Sequence, residues 1–223
     1  MVGSFDESGP ADTLSSALEA MPIFPLPGMV LFPGALLPLH IFEPRYRVML
    51  SECLATHRWM ALAFALSGGD AEGSTAHSPK IARIAGAGVV VRHEALADGR
   101  SNIVVRGIVR VSLDELAFVA PYRRAKARVL NDVDSPVSAT DRTGLRAAAS
   151  AFAAAAKEKD FAIPAGLEPG AIADVCAHQL VVDPWSRQRA LEELDIRARV
   201  RLVTTTLAEQ LGRKSERRAG APD

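Results

Sequence analysis

Cys53 and His57 stand four residues apart, a spacing that puts both on one face of a helix. There a thiolate and an imidazole could share a metal ion or act as nucleophile and base. A second pair, Cys176 and His178, is two residues apart, and on a helix those side chains diverge. Neither pair has the C-x-x-C spacing that announces most zinc sites, and no third group is placed to orient the His57 imidazole. There is no G-x-S-x-G elbow and no G-x-x-x-x-G-K-[ST] phosphate loop. Ser67 and Ser74 fall in a Gly-rich polar stretch, expected to be a surface loop that would hold a catalytic group too loosely. The reading is buried cysteines, surface histidines, no metal, no cofactor and no catalytic residue.

Cations form the second pattern. From Tyr122 to Val129, Arg124, Lys126 and Arg128 alternate with Ala125, Ala127 and Val129. A strand would put the three cations on one face. Arg106 and Arg110 lie on the polar face of another strand, opposite Ile103, Val105, Gly107, Val109, Val111 and Leu113. These five residues, Arg106, Arg110, Arg124, Lys126 and Arg128, are the candidates for holding an acidic or extended peptide. Acids such as Asp114 and Glu115 could instead pair with them and leave a solvated face. Residues 21–130 carry 13 Lys+Arg against 8 Asp+Glu, although the whole chain is neutral. A third mixed cluster, "HIFEPRY" from His40 to Tyr46, reads as a structural joint: Glu43 precedes a helix start, and Arg45 and Tyr46 can tie that helix to the strands.

The elements that must position these groups change character once. "PIFPLPGMVLFPGALLPLHIFEPRYRVML" (Pro22 to Leu50) holds six of the 14 prolines. It is no secretory signal, since acids precede it and prolines interrupt it, and no membrane span. It predicts buried extended pieces turning at Pro27-Gly28 and Pro33-Gly34, then a helix from Pro44 to about His57. Strands follow at Trp59–Leu66 and Ile81–Glu94, and the latter forms a hairpin with Ile103–Leu113 across "ADGRSN". Beyond Asn131 the pattern is helical. An alanine-rich helix is broken by "PAGLEPG", a second runs over Ala171–Val181, and Asp183-Pro184 and Asp195 are helix starts. Residues 1–20 (four acids, no base) and 213–223 read as disordered tails.

"IFPLPGMVLFPGALLPLHIFEPRYRVML", "DGRSNIVVRGIVRV", "PYRRAKARVLND" and the helical stretch from "IADVCAHQLVVDPWSRQRALEELDIRARV" onward resemble, in that order, the amino-terminal substrate-binding domain of Lon protease. The match covers about residues 21–212. The resemblance implies an α+β fold, a PUA-like β-barrel (21–131) packed against a C-terminal helical bundle (132–212). The helix begun by Pro44 would plug or cap the barrel. It implies a stand-alone, non-catalytic module that binds unfolded or extended polypeptides, without the ATPase and Ser-Lys protease parts. The expected cytoplasmic location rests instead on the sequence showing no targeting or spanning segment. One alternative is an adaptor docking on a native protein or protease through its helical half. RNA is a further alternative, because PUA-like barrels include RNA binders. The 5% aromatic content and the lone Tyr122 beside the basic strand count against it.

Overall fold

A computed structural model describes residues 10–66 and 79–219. The loop expected at 67–78, the first nine residues and the last four lie outside the described residues. Six strands, β1 (Met21–Leu26), β2 (Leu36–Ile41), β3 (Trp59–Phe64), β4 (Ile84–Ala95), β5 (Ser101–Glu115) and β6 (Arg124–Leu130), form one mixed sheet. Six helices accompany it: α1 (Pro10–Glu19), α2 (Pro44–Ala55), α3 (Ala139–Ala156), α4 (Pro169–Leu180), α5 (Pro184–Glu192) and α6 (Ile196–Ala219).

The strand order is β2-β5-β4-β3-β1-β6, with β1 and β3 parallel. β6 also pairs with β5, so the ladder returns on itself. One edge of the long β5 serves two partners end to end. Ser101–Arg106 pair with β2, and Arg110–Glu115 pair with β6. Gly107 sits between them, where its N–H donates to Ala35 O and its carbonyl accepts from Gly34 N, each at 2.9 Å.

That meeting point explains the proline-rich segment. Between β1 and β2 the chain turns at Gly28 and Gly34, both at positive φ, and crosses the sheet in between. A Cβ on Gly86 would lie 1.8 Å from Leu31 O, and one on Gly107 would lie 2.1 Å from Phe32 O. Only glycine lets the crossing backbone come this close. The crossing also distributes side chains. Leu31 joins a core with Leu37, Ile41, Met49 and Val105 between α2 and the sheet. Val30 and Phe32 instead enter the core formed by α3–α6, together with Phe64 and Ala82. The helical half therefore shares its core with the strands.

A third core is built of small residues: Ala61, Ala63, Ala85, Ala87, Ala125 and Ala127 with Ile23, Trp59 and Val111. Its helix is α1, not α2. Ala17 of α1 is fully buried there, and the Trp59 indole N–H donates to Thr13 Oγ1 at 3.1 Å. The expectation of disorder through residue 20 is thus corrected for Pro10–Glu19. The apolar positions Leu14, Ala17 and Leu18 give this short helix a buried stripe despite its acidic, polar composition. Disorder at the other end is corrected too, because α6 continues to Ala219. In the rest, helix α2 begins at Pro44, and Asp183 and Asp195 accept hydrogen bonds from Ser186 N and Ala198 N as helix caps.

Candidate peptide-binding surface

The five candidate cations do not form one patch. Arg124, Lys126 and Arg128 share the outward face of β6, as the alternation requires. Each meets an acid from a neighbouring element: Arg124 with Glu52 of α2 at 2.8 Å, Lys126 with Glu19 of α1 at 3.2 Å, and Arg128 with Asp114 of β5 at 3.0 Å. Arg123 closes on Glu115 at 2.6 Å. Exposed pairs of this kind are weak and salt-sensitive, so the acids screen the row without consuming it. At its α2 end the row is more ordered. The Tyr122 hydroxyl makes a short hydrogen bond to Glu52 and accepts from Arg124, whose guanidinium also lies over the Tyr122 ring. Burial, reinforced by Glu52, pushes the Tyr122 phenol up to about 12, so it stays a donor at neutral pH.

Arg106 is exposed but lies elsewhere, paired across the ladder with Leu36 of β2 and Val89 of β4. Arg110 must be corrected as a surface residue. The expected shared face with Arg106 is corrected by a β-bulge at Gly107–Val109. Arg106 pairs with Val89 and Arg110 with Gly86, three positions apart on β4, so the two lie on opposite faces, as do Ile103 and Val105 against Val111 and Leu113. Helices α4–α6 cover Arg110, which is 3% exposed. Its guanidinium donates to Asp174 Oδ1 at 2.6 Å and to Leu191 O at 2.9 Å. Arg199, fully buried, grips Asp132 with two hydrogen bonds of 2.8 and 2.5 Å and lies 3.2 Å from Asp174. Gly170 leaves room for it, since a Cβ there would stand 2.7 Å from Arg199 Nη2. This four-residue ionic junction was missed in the sequence. Its signal was an acid, Asp174, set among Ile172, Ala173, Cys176 and Ala177 in an otherwise apolar helix.

Next to the basic row the chain exposes large apolar side chains. Leu116, Phe118 and Val119, in the connection from β5 to β6, are 44%, 55% and 64% exposed. The loop is anchored to the row, because Leu116 N donates to Arg124 O at 3.0 Å. Phe118 flanks a small depression lined by Arg45, Tyr46, Tyr122 and Arg123. The joint around His40–Tyr46 is visible here: Glu43 pairs with Arg45 at 2.8 Å, and the Tyr46 ring packs 4.3 Å from Phe24 of β1.

Cys53 and His57 serve the turn from α2 into β3. The Cys53 thiol donates to Trp59 O at 3.4 Å, and His57 Nδ1 accepts from Trp59 N at 3.0 Å. Both cysteines are buried, and burial pushes each thiol up to about 12. His57 and His178 are half-buried rather than on the surface, and burial lowers both. Among the described residues no group of three His, Cys, Asp or Glu side chains could hold a metal ion. No helix among them is long and apolar enough to cross a membrane.

The chain is thus a mixed-sheet domain with helices on its flanks, whose distinctive groups sit on open surfaces. Residues 20–209 match the sequence profile of the ATP-dependent protease La (LON) substrate-binding domain, and the chain belongs to that family. It is 29% identical over 211 residues to the Lon protease of Roseiflexus castenholzii, covering 89% of this chain but 26% of that protease. Against the Lon protease of Methylocella silvestris it is 26% identical, with 92% and 26% covered. The chain spans about a quarter of the length of these relatives. The fold is also that of the Lon N-terminal domain protein from Xanthomonas campestris (TM-score 0.62, 19% identity, 83% of this chain and 97% of that one). The N-terminal domain of Mycobacterium avium complex Lon protease matches similarly (TM-score 0.59, 14% identity, 85% and 98% covered).

Proposed function

We propose that this chain is a non-catalytic module that binds unfolded or extended protein segments on the face where β6 meets the 116–119 loop. The closed ladder of strands is read as a PUA-like barrel that serves as its scaffold. The observation that carries the reading is the adjacency of two chemistries. Leu116, Phe118 and Val119 stand exposed beside the outward row Arg124, Lys126 and Arg128. A stretch of unfolded chain that mixes apolar and acidic residues offers the matching groups, and its acids can exchange with Glu52, Glu19 and Asp114 for the row. Arg106, on a separate face, is a candidate for a second contact of a long segment. Arg110 plays no part in contact and holds the junction. The area on offer is small, so micromolar or weaker affinity is expected.

The test uses a chemically denatured, reduced client at low salt. Reversal of the row (R124E, K126E, R128E) combined with Phe118→Ser should weaken capture at least tenfold. The far-ultraviolet spectrum should be unchanged. A variant that captures the client as well as the parent moves the site elsewhere. A second reading, docking of a native partner on the helical half, is favoured by Val182 and Trp185, which are 67% and 51% exposed at the start of α5. Loss of native-partner capture in Trp185→Ser, with denatured-client capture intact, would select it. Competition by RNA that abolishes client capture would point instead to the nucleic-acid alternative.

A further inference from the structure

We infer that the groove between α2 and the β4–β5 hairpin takes the carboxyl-terminal end of an extended polypeptide whose last residue is apolar. The inference rests on the polypeptide-binding reading above and adds to it the part of the client that is recognised. The groove has a volume of about 500 Å³, enough for a few residues and too little for a folded partner. Val48, Leu50 and Leu54 of α2 make its apolar wall, and Arg47, His93, Arg100 and Ser101 its polar rim. Ser101 is buried, and its hydroxyl meets His93 Nε2 at 3.2 Å, which fixes two rim groups together.

Of the two rim arginines, Arg100 is paired with its own turn's Asp98 at 2.6 Å, an exposed pair that screens it. Arg47 has no carboxylate partner among the described residues. Its position is nonetheless defined. The guanidinium lies against the hairpin turn at Gly99, where a Cβ would come within 2.1 Å of Nη2. Gly99 also adopts a positive φ of 80°, so the turn and the arginine are mutually fitted. Arg47 stands in the first turn of α2, where the helix dipole disfavours a cation. No acid lies in that turn, and the preceding Glu43 is engaged by Arg45. The result is an uncompensated positive site directly beside an apolar wall.

That combination selects among anionic peptides. In an extended chain successive side chains point to opposite sides. An internal Asp or Glu aimed at Arg47 therefore directs its adjacent side chains away from Val48 and Leu54, and the next side chain on that face stands two residues on, about 6.6 Å away. A chain terminus carries its carboxylate and its last side chain on the same Cα, so one residue satisfies both. Charge-assisted hydrogen bonds of this kind are strong enough to decide affinity.

The test compares two fluorescent decapeptides of identical sequence ending in leucine, one with a free carboxyl group and one amidated, by anisotropy at low salt. The free acid should bind about tenfold or more tightly than the amide. Arg47→Gln should remove that difference, Arg47→Lys should keep part of it, and Val48→Asp should weaken the free acid. Melting temperatures of the three variants check the fold. Equal binding of acid and amide, or a preference that survives Arg47→Gln, overturns the terminal site. If denatured client is still captured in that event, the general reading stands. If neither peptide nor client binds, both fall.

Discussion

Arg110 of β5 and Asp174 of α4 meet at 2.6 Å, with side chains 4% and 5% exposed, at the contact between the strands and the helices. Around them Arg199 and Asp132 complete two cations and two anions, and Gln188 of α5 donates to Ile84 O at 2.9 Å alongside. Leu191 O and Glu193 O accept from the two arginines at 2.9 Å each. The relative placement of β5, α4, α5 and α6 is therefore encoded in directional bonds as well as in apolar packing.

Such a junction is expensive to break from one side. Asp174→Ala would leave two buried guanidinium groups short of an anion, and about 3–5 kcal/mol of stability should be lost. Replacing the pair together, Arg110→Met with Asp174→Leu, should cost less than the single change, because no charge is left unpartnered. Urea unfolding of the three variants measures this. A double variant less stable than Asp174→Ala would contradict the argument.

Acid should unfold the protein from below about pH 4. The Ser186 hydroxyl and backbone N–H hold Asp183 below the usual carboxylate range, and Ser135 and Ala198 N do so for Asp195. Arg201 and Ser138 do the same for Asp141. Burial works against Asp132, but Arg199 and Arg110 bring it down. For a carboxyl group lowered on folding, the stabilisation is present above the unfolded value of about 3.9 and lost as pH falls through the folded one. Asp174 opposes the trend. Burial raises it against the pull of Arg110 and Arg199, so its own contribution favours the fold as acid is added. Asp98 is lowered as well, by Arg100, which makes five carboxyl groups lowered and one raised. Half-buried His57 and His178 cost stability once pH falls below about 6.5. The melting temperature should therefore ease down from about pH 6.5 and fall steeply below about pH 4. A melting temperature that rises as pH falls toward about 4, ahead of the acid drop, would show Asp174 to dominate, because a raised carboxyl group takes up its proton above the unfolded value.

Both thiols should be silent in the native state. Cys53 and Cys176 are 1% and 0% exposed, and burial puts each near 12. At pH 8 the thiolate fraction is on the order of one in ten thousand. A thiol-specific disulfide reagent should report no free thiol at once and two after denaturation. Fast reaction of either thiol in the native protein would mean that its helix opens readily.

Local signals carried the strands, the helix starts and the outward face of β6. Pro44 opens α2, Asp183 caps α5, and the alternation at Arg124, Lys126 and Arg128 sets the outward side of β6. What covers a face was not legible, because periodicity is local and coverage is long-range. The alternation that would put Arg106 and Arg110 on one face is broken by the bulge beside Gly107, and Leu191, 81 positions away, covers Arg110 alone. The acidic tail hid α1 for a related reason. A ten-residue helix has too few turns for its stripe to stand out, and Ala17 becomes an anchor only against the alanine-lined sheet. The groove beside Arg47 depends on α2 and the hairpin tip meeting across some 50 residues, which no spacing in either element announces.

The crossing of residues 30–32 yields the last prediction, since it separates two uses of glycine. Gly34 has φ near 80° and open space where a Cβ would go. Gly34→Ala therefore meets backbone strain alone and should lose about 1 kcal/mol. Gly86 and Gly107 have ordinary φ but no space, with the Leu31 and Phe32 carbonyls at 1.8 and 2.1 Å from an added Cβ. Alanine at either position must push the crossing backbone off the sheet, where Val30, Leu31 and Phe32 supply side chains to two cores at once. The loss should exceed about 3 kcal/mol, beyond the usual range for an added methyl, because backbone and not a side chain has to move. Urea titrations of the three alanine variants give the comparison. Similar losses at Gly34 and Gly86 would mean that the crossing is loosely held and that the prolines flanking it, Pro27 and Pro33, do not fix its path.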